Sequence, residues 1–492
     1  MRLFSAEAMR RADHEAIQGG VASTVLMDNA GHAVSDYAQD IFPDIDSILV
    51  LCGKGNNGGD GYIAAAYLKR AGKHVTVLEL STTPKTDDAK WARTSWLEHG
   101  EVNELNPSTL TNHLKQADLI IDGLFGSGLS RALEGDLKTL VGIINTSNTP
   151  VLSIDIPSGL SADEAELFGD VIQASYTLQL AGAKLSSHFP PANRAYGTWT
   201  TADIGISASI LDAQRTATLI TDERVRAFLP EREPNAHKYS VGTVLVIAGS
   251  SRYLGAAELC CRAAYRAGAG LVSLAAEDRL PSSWAEIIFE KMDWQDNPLE
   301  QLAKLDDKRA RARVIGPGLD KSLEAYLPEL ITQNSVPTVL DAGALVGGED
   351  WQEAVRAHGH CVLTPHMGEA SRLLAKAAKT LAKNPVETAK ELAEKFNAIT
   401  VLKGATSVIA SPDNKCFVST RGHAGMATGG TGDVLAGIIG AFVSAGGNLM
   451  ERVASAVYLH GAAGEKAAET YGNGLVASDL IAAFPASLLR IT

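Results

Sequence analysis

Two α/β domains are predicted for this 492-residue chain, each a parallel sheet layered between helices. Three observations predict them. Short apolar runs alternate with alanine-rich helical stretches along the whole length. Those runs are apolar at successive positions rather than at every second one, as strands covered on both faces must be. Between Thr221 and Ser240, in "TDERVRAFLPEREPNAHKYS", charge together with Pro230 and Pro234 interrupts the apolar periodicity as a domain boundary should. A chain this long exceeds one ordinary core, so the expected domains are residues 1–220 and 221–492.

The first domain's strands are read from "SILVLC" at Ser47, "HVTVLEL" at His74, "ADLIIDGLFG" at Ala117 and "TPVLSIDIPSG" at Thr149. After the first of them comes "DGYIAAAYLKRAG", a helix ending in Lys69 and Arg70, which complement its dipole, and stopping at Gly72. The second series is "GTVLVIAGS", "AGLVSLAA", "ARVIGPGL", "VPTVLDAGAL", "HCVLTPHMGE" and "AITVLKGATSVIAS". In "GMATGGTGDVLAGIIGAFVSAG", Gly425 to Gly446, apolar residues at 434, 435, 438, 439 and 442 predict a helix with one buried face. Punctuation differs between the halves and no fixed period relates them. They are two folds and not a duplication.

A net charge of −13 argues against a general binder of nucleic acid or of anionic membranes, because no broad basic field exists to attract a polyanion. No run approaches the roughly 20 apolar residues of a membrane helix. The five cysteines show neither C-x-x-C spacing nor an even framework and read as thiols of a reducing compartment. A cytoplasmic protein without nucleic-acid or membrane partners is expected, acting on small molecules as a homo-oligomer.

Gly53, Gly55 and Gly58 spell G-x-G-x-x-G before the first helix, whose free N–H groups attract phosphate. The pattern alone is weak, and the acidic residue a dinucleotide fold places about 20 positions on could only be Glu79. The polar side chains of Asn56, Asn57 and Asp60 ask for a more specific ligand. Asn57, Asp122 and Ser158 would form an oxygen-only site for a hard cation if the sheet gathers them. The glycine-rich "GLFGSGLSRALEG" supplies Ser127, Ser130 and Arg131 for a phosphate or sugar. Asp155, closing "VLSID", is the acid–base candidate. Each aspartate alone would more readily be a helix cap or turn residue; three at successive strand ends point to a site.

In the second half, Gly429-Gly430-Thr431-Gly432-Asp433 precedes a helix, so backbone N–H groups can form an anion hole with Asp433 in the first turn. No Walker pattern occurs. A carboxylate beside such a hole suits phosphoryl transfer to a hydroxyl, although Asp433 could equally be a cap. Lys403 and Gly404 between two strands suit a nucleotide phosphate, and the combination resembles ribokinase-like folds. His358, His360 and Cys361 in "AHGHC" are read as structural, "DHEAI" at Asp13 as a solvated face, and "AKAAKTLAK" and "AKELAEKF" as solvent-facing helices.

The motifs "LMDNAG", "GKGNNGGDG", "DGLFGSGL", "SIDIPSGL" and "ADIGI" together resemble the epimerase domain of the bifunctional NAD(P)H-hydrate repair enzymes, over nearly all of residues 1–220. That resemblance implies a Rossmann-like three-layer sandwich binding hydrated NADH or NADPH through Asn56, Asn57, Gly58, Gly59, Asp60, the segment Gly126, Ser127, Gly128, Leu129, Ser130, Arg131, Ala132, and Asp155. It also implies potassium on Asn57, Asp122 and Ser158. Lys54 stands where the family usually has proline. From about residue 225, "HKYSVGTVLVIAGS", "GAAEL", "GPGLD", "LTPHMGEASRLL", "LKGATSVIA" and "GHAGMATGGTGDVLAGIIGA" resemble the ribokinase-like dehydratase domain of the same enzymes. The match implies hydrate binding by Ala256, Gly318, His366 and Asp433, and an adenine-nucleotide site at Lys403, Gly404, Ala405, Thr406, Ser407 and Gly432. Met367 replaces a usual proline, and Gly343 and Val346 replace a usual aspartate and asparagine.

The implied chemistry is epimerisation of the C6 hydroxyl, with Asp155 moving the proton, and then phosphorylation of the S epimer and loss of phosphate. Mg²⁺ would accompany the nucleotide. The two-domain form resembles members that use ADP, while the motifs do not separate ADP from ATP. The alternatives are a ribokinase-like small-molecule kinase fused to a nucleotide-binding module, and a non-catalytic nucleotide sensor.

Overall fold

The structure is a computed structural model that describes all residues except 81–82, 130, 280–283 and 306–309. It divides into two compact units, Arg2–Thr216 and Ala217–Thr492, the latter with Met1.

In the first unit a seven-stranded sheet runs, in spatial order, Val102–Glu104, His74–Glu79, Ser47–Cys52, Leu119–Gly123, Val151–Ile154, Tyr176–Leu180 and Thr198–Ala202. Its neighbouring strands all pair parallel. The central strand shows why its sequence does not alternate. Ile48, Val50 and Cys52 enter one apolar cluster with the Ser23–Ile41 and Asn56–Arg70 helices, and Leu49 and Leu51 enter another with the Asp136–Thr146 helix. From Ser47–Cys52 the chain winds outward to one side and then returns to Leu119–Gly123 on the other. That reversal opens a crevice at the carboxyl ends, where such sheets bind ligands.

The second unit's sheet runs Ile288–Lys291, Leu271–Ala276, Thr243–Ile247, Ala312–Ile315, Thr338–Leu340, Cys361–Leu363, Ile399–Leu402, Ser407–Ala410, Cys416–Ser419 and Ala217–Leu219. Its pairs are parallel except where Ser407–Ala410 meets its two neighbours antiparallel. The Thr431–Ser444 helix is buried at every residue from Val434 to Ser444, not on the single face its apolar spacing predicts. Small residues on the other face explain the difference. A Cβ added at Gly437 would lie 2.1 Å from the Cys260 carbonyl oxygen, so the Leu254–Arg266 helix packs directly on backbone. Among the described residues no helix is long and apolar enough to cross a membrane.

Candidate active sites

The Asn56–Arg70 helix begins at Gly55, whose cap position carries no side-chain hydrogen bond, so the first amides are left for a ligand. Glycine is required behind this turn. A Cβ at Gly58 would sit 2.1 Å from the Gly53 carbonyl oxygen, and one at Gly53 would sit 1.8 Å from that of Leu124. Strand end, helix start and the next loop are thereby brought into one wall.

That wall bounds a cleft of about 970 Å³. Asn56, Asn57, Asp60, Gly126, Ser127, Gly128, Leu129, Arg131 and Asp155 all line it. Gly58 and Gly59 lie buried behind the lining, where a Cβ at Gly59 would meet the Met27 side chain. Ala132 is half-buried next to the loop, and Ser130 lies outside the described residues. Asp60 is buried, and that burial, reinforced by Asp155, Asp13 and Asp88, holds its carboxyl well above the usual range.

Asp155 follows the strand Val151–Ile154 with φ 65°, a left-handed backbone uncommon for a non-glycine residue. Its Oδ1 accepts from the Leu180 amide at 3.1 Å and pairs with the Lys184 ammonium. Lys184 is 1% exposed and also donates to the carbonyls of Leu180 and Gly182, each at 2.9 Å. This lysine escaped the sequence reading. It lies in the unremarkable "AGAKLSS", and only the close of the sheet brings it to Asp155.

Two further assignments change. Asp13, expected on a solvated face, lines the cleft, and burial raises its carboxyl to about 6, with Lys184 opposing and Asp155 adding to the rise. The helix Ala6–Gln18 buries Ala8, Met9, Ala12 and Ala16, and Asp13 sits at the margin of that stripe, a position that short apolar spacing with alanine conceals. Glu79, the one candidate for a ribose contact, is committed elsewhere: it accepts from Arg93 at 2.7 and 2.9 Å and from the Tyr62 hydroxyl at 2.7 Å.

Below the cleft, Asp122 is 0% exposed. It accepts from Ser153 Oγ at 2.9 Å, from Ser158 N at 2.9 Å and Oγ at 2.6 Å, and from Leu124 N at 3.2 Å. Burial raises its carboxyl against the pull of these bonds. Among the described residues no cation pairs with it. Asn57 adjoins the same loop: a Cβ at Gly126 would lie 3.3 Å from Asn57 Oδ1, and among the described residues the Asn57 amide nitrogen has no partner.

In the second unit the carboxyl ends of parallel strands again carry the polar groups. Asp341, after Thr338–Leu340, is 1% exposed and accepts from Thr364 Oγ1 and from Lys403 Nζ, both at 2.7 Å. A Cβ at Gly432 would lie 3.5 Å from that same Nζ, so Lys403 stands at the start of the Thr431–Ser444 helix. This helix also has no side-chain cap, and its Gly430 adopts φ 93°. Burial raises Asp433 to about 6, with Asp341 adding and Lys403 opposing. For Lys403, burial works against the charge, yet Asp341, Glu369 and Asp433 outweigh it and hold the ammonium above its ordinary range.

His366 bridges the Lys403 backbone and caps the Met367–Leu374 helix, accepting from Gly368 and Glu369 amides. Ala256 and Gly318 meet: with φ 63°, a Cβ on Gly318 would be 3.0 Å from that of Ala256. Gly404 and Ala405 are exposed, Ser407 is half-buried and Thr406 is buried. His358 is drawn down to about 4, chiefly by burial with Arg313 and His360 adding, which agrees with its structural reading. Asp341 has no assigned role in the sequence reading, although an aspartate closing an apolar strand, the feature that marks Asp155, stands in "VLD" as well.

Known proteins match this arrangement in both units. The family description "NAD(P)H-hydrate dehydratase" covers residues 244–486, and "YjeF-related protein N-terminus" covers residues 23–186. A bifunctional NAD(P)H-hydrate repair enzyme of Moorella thermoacetica is 36% identical, over 94% of this chain and 92% of its own. An ADP/ATP-dependent NAD(P)H-hydrate dehydratase of Bacillus subtilis, co-crystallised with ATP/Mg2+, is 32% identical with a TM-score of 0.50, covering 56% of this chain and 99% of that one. A ribokinase-like superfamily protein of Enterococcus faecalis V583, 24% identical with a TM-score of 0.50 over 56% of this chain and 97% of its own, shares the fold. On the full-length likeness, the chain belongs to the family of bifunctional NAD(P)H-hydrate repair enzymes.

Proposed function

We propose that the first unit interconverts the R and S epimers of hydrated NADH and NADPH, and that the second dehydrates the S epimer with an adenine nucleotide as phosphoryl donor. One observation carries the reading: in each unit an aspartate shares a site with a glycine-led helix start whose amides no side chain caps. Such amides hold phosphate, and the aspartate is then free to move a proton.

In the first site the substrate's C6 hydroxyl lies next to the ring nitrogen, whose lone pair can expel it, and readdition to either face interconverts the epimers. Asn56, Asn57, Gly58, Gly59, Asp60 and the 126–132 loop hold the dinucleotide, and Asp155 serves the hydroxyl. Asp122, with no cationic partner among the described residues, together with the oxygens of Ser158 and Asn57, suits a potassium ion, which would neutralise the buried carboxylate and tie the two loops.

In the second site hydroxide is a poor leaving group and phosphate a good one. Asp433 takes the C6 hydroxyl proton while Lys403 and the amides around Gly432 steady the transferring phosphoryl group, and loss of phosphate restores the C5=C6 bond. Ala256, Gly318 and His366 would contact the hydrate, and Lys403, Gly404, Ala405, Thr406, Ser407 and Gly432 the nucleotide, ADP or ATP with Mg²⁺. The B. subtilis likeness supports nucleotide and magnesium. Five free, buried cysteines support a reducing compartment such as the cytoplasm.

The test is direct. Pure protein is incubated with each hydrate epimer, Mg²⁺ and ADP or ATP while the absorbance of the restored dihydronicotinamide is followed. Signal is expected from both epimers. A stable phosphorylated product without that signal would instead establish the small-molecule kinase, which the family membership disfavours.

A further inference from the structure

The Ala6–Gln18 helix lays Met9, Asp13 and Ile17, four residues apart, along one wall of the first cleft. Among the described residues Asp13 forms no ion pair and accepts no hydrogen bond. Half-buried in the lining of the cleft, its carboxyl is open to whatever the cleft holds. Across the same cleft, Asp155 is differently placed. Its Oδ1 is saturated by Lys184 and the Leu180 amide, and its Oδ2 accepts no bond among the described residues. Lys184 in turn spends its protons on Asp155 and two carbonyls, so its position is rigid.

We propose that Asp13 is a second acid–base group of the first site, acting on the C6 hydroxyl from the Ala6–Gln18 wall, with Lys184 as the positioning residue that gives the two carboxyls different roles. The inference rests on the epimerase reading of this site. Two carboxyls held in unlike environments form an acid–base pair. Asp13, raised by burial to about 6, is the member that keeps a proton, while the ammonium of Lys184 gives Asp155 a counter-ion. The charged groups around Asp13 are Arg10 on its own helix, Asp60 and Asp88 on neighbouring helices, and Asp155 and Lys184 at the sheet edge.

The step balances. Neutral Asp13 donates its proton to the C6 hydroxyl as the C–O bond breaks and the ring nitrogen's lone pair fills in, leaving water, an iminium-type ring and ionised Asp13. A water on the opposite face forms the new C6–O bond with its own electron pair and gives one proton to Asp155, which returns the ring electrons to nitrogen. The reverse direction exchanges the two roles, and solvent redistributes the single proton between turnovers.

Full-length Asp13→Asn and Lys184→Gln are assayed for epimer interconversion across pH, with NADPH binding followed by intrinsic fluorescence. For Asp13→Asn we expect kcat to fall at least about 100-fold with KM within about threefold, NADPH binding retained, and the loss of rate on the alkaline side of about pH 6 abolished. Removing the Lys184 cation lets Asp13 hold its proton longer, so in Lys184→Gln that alkaline limb moves to higher pH. Unchanged kcat and pH profile in Asp13→Asn overturns the proposal. So does loss of NADPH binding in parallel with kcat, which marks a structural role. Loss of activity in Asp155→Asn within the same series keeps the epimerase reading standing in either case, whereas a wild-type protein that fails to interconvert the epimers sinks that reading itself.

Discussion

The ammonium of Lys403 lies 2.7 Å from Oδ1 of Asp341, two strands away in the sheet, and the pair stands at the foot of the Thr431–Ser444 helix. Neither residue is close in sequence to Asp433, yet beside the burial that chiefly raises its carboxyl both act on it, Asp341 raising it further and Lys403 lowering it. The charge state at this helix start therefore depends on burial and on two strand ends at once.

Dehydration is expected to decline as pH falls through about 6, because Asp433 must be ionised to accept the hydroxyl proton. Asp341→Asn removes a like charge, so the acidic limb shifts to lower pH. It also frees Lys403 from its anchor, and the rate at neutral pH falls about tenfold or more. A pH profile of kcat for wild type and variant, run on the S epimer, checks both.

Asp433→Asn abolishes dehydration and leaves epimerisation intact, because the two sites lie in separate units. It also stabilises. The folded carboxyl has its pKa raised, so the stabilisation of the neutral form is complete below about pH 4 and is lost as pH rises through about 6. At pH 8 the variant's second unit should melt about 2–4 °C higher, roughly 1 kcal/mol for this partly exposed group. Near pH 4 the difference disappears. Calorimetry at the two pH values reads it.

Gly58→Ala should lower the stability of the first unit by about 1–3 kcal/mol, since the new methyl meets the Gly53 carbonyl oxygen, which cannot rotate away. The wall of the cleft shifts with it, and epimerisation weakens through KM. Thermal melting and steady-state kinetics on the R epimer test the link.

Glu79→Ala leaves hydrate binding within about twofold, because Arg93 and Tyr62 already occupy its carboxylate. Stability falls by about 3 kcal/mol, as expected when one partner of a buried pair is removed. Weakened binding with unchanged melting would return Glu79 to the role of a ribose contact.

The layered sheets and most of the lining of the first unit's cleft are legible in the sequence because both are written locally. Ile48 to Cys52 is uniformly apolar since each face is covered, and the glycines at 53 and 58 mark the close approach at the helix start. The strand-end rule placed Asp155 and Asp122 correctly at the carboxyl edge. The same rule applies to Asp341, which closes "VLD". The complete burial of the Thr431–Ser444 helix was not legible, because glycine and alanine score as neutral in an apolar pattern while serving as the surface on which a second helix layer packs.

What the sequence by itself determined is the set of elements and the loops that end them: local backbone preference and side-chain periodicity act over a few residues and survive in the linear chain. What only the tertiary structure decided is which charges meet. Lys184 reaches Asp155, Asp13 turns into the cleft, and Lys403 finds Asp341, through contacts between distant segments. The strength of those encounters depends on burial and distance, and neither quantity exists until the chain has folded.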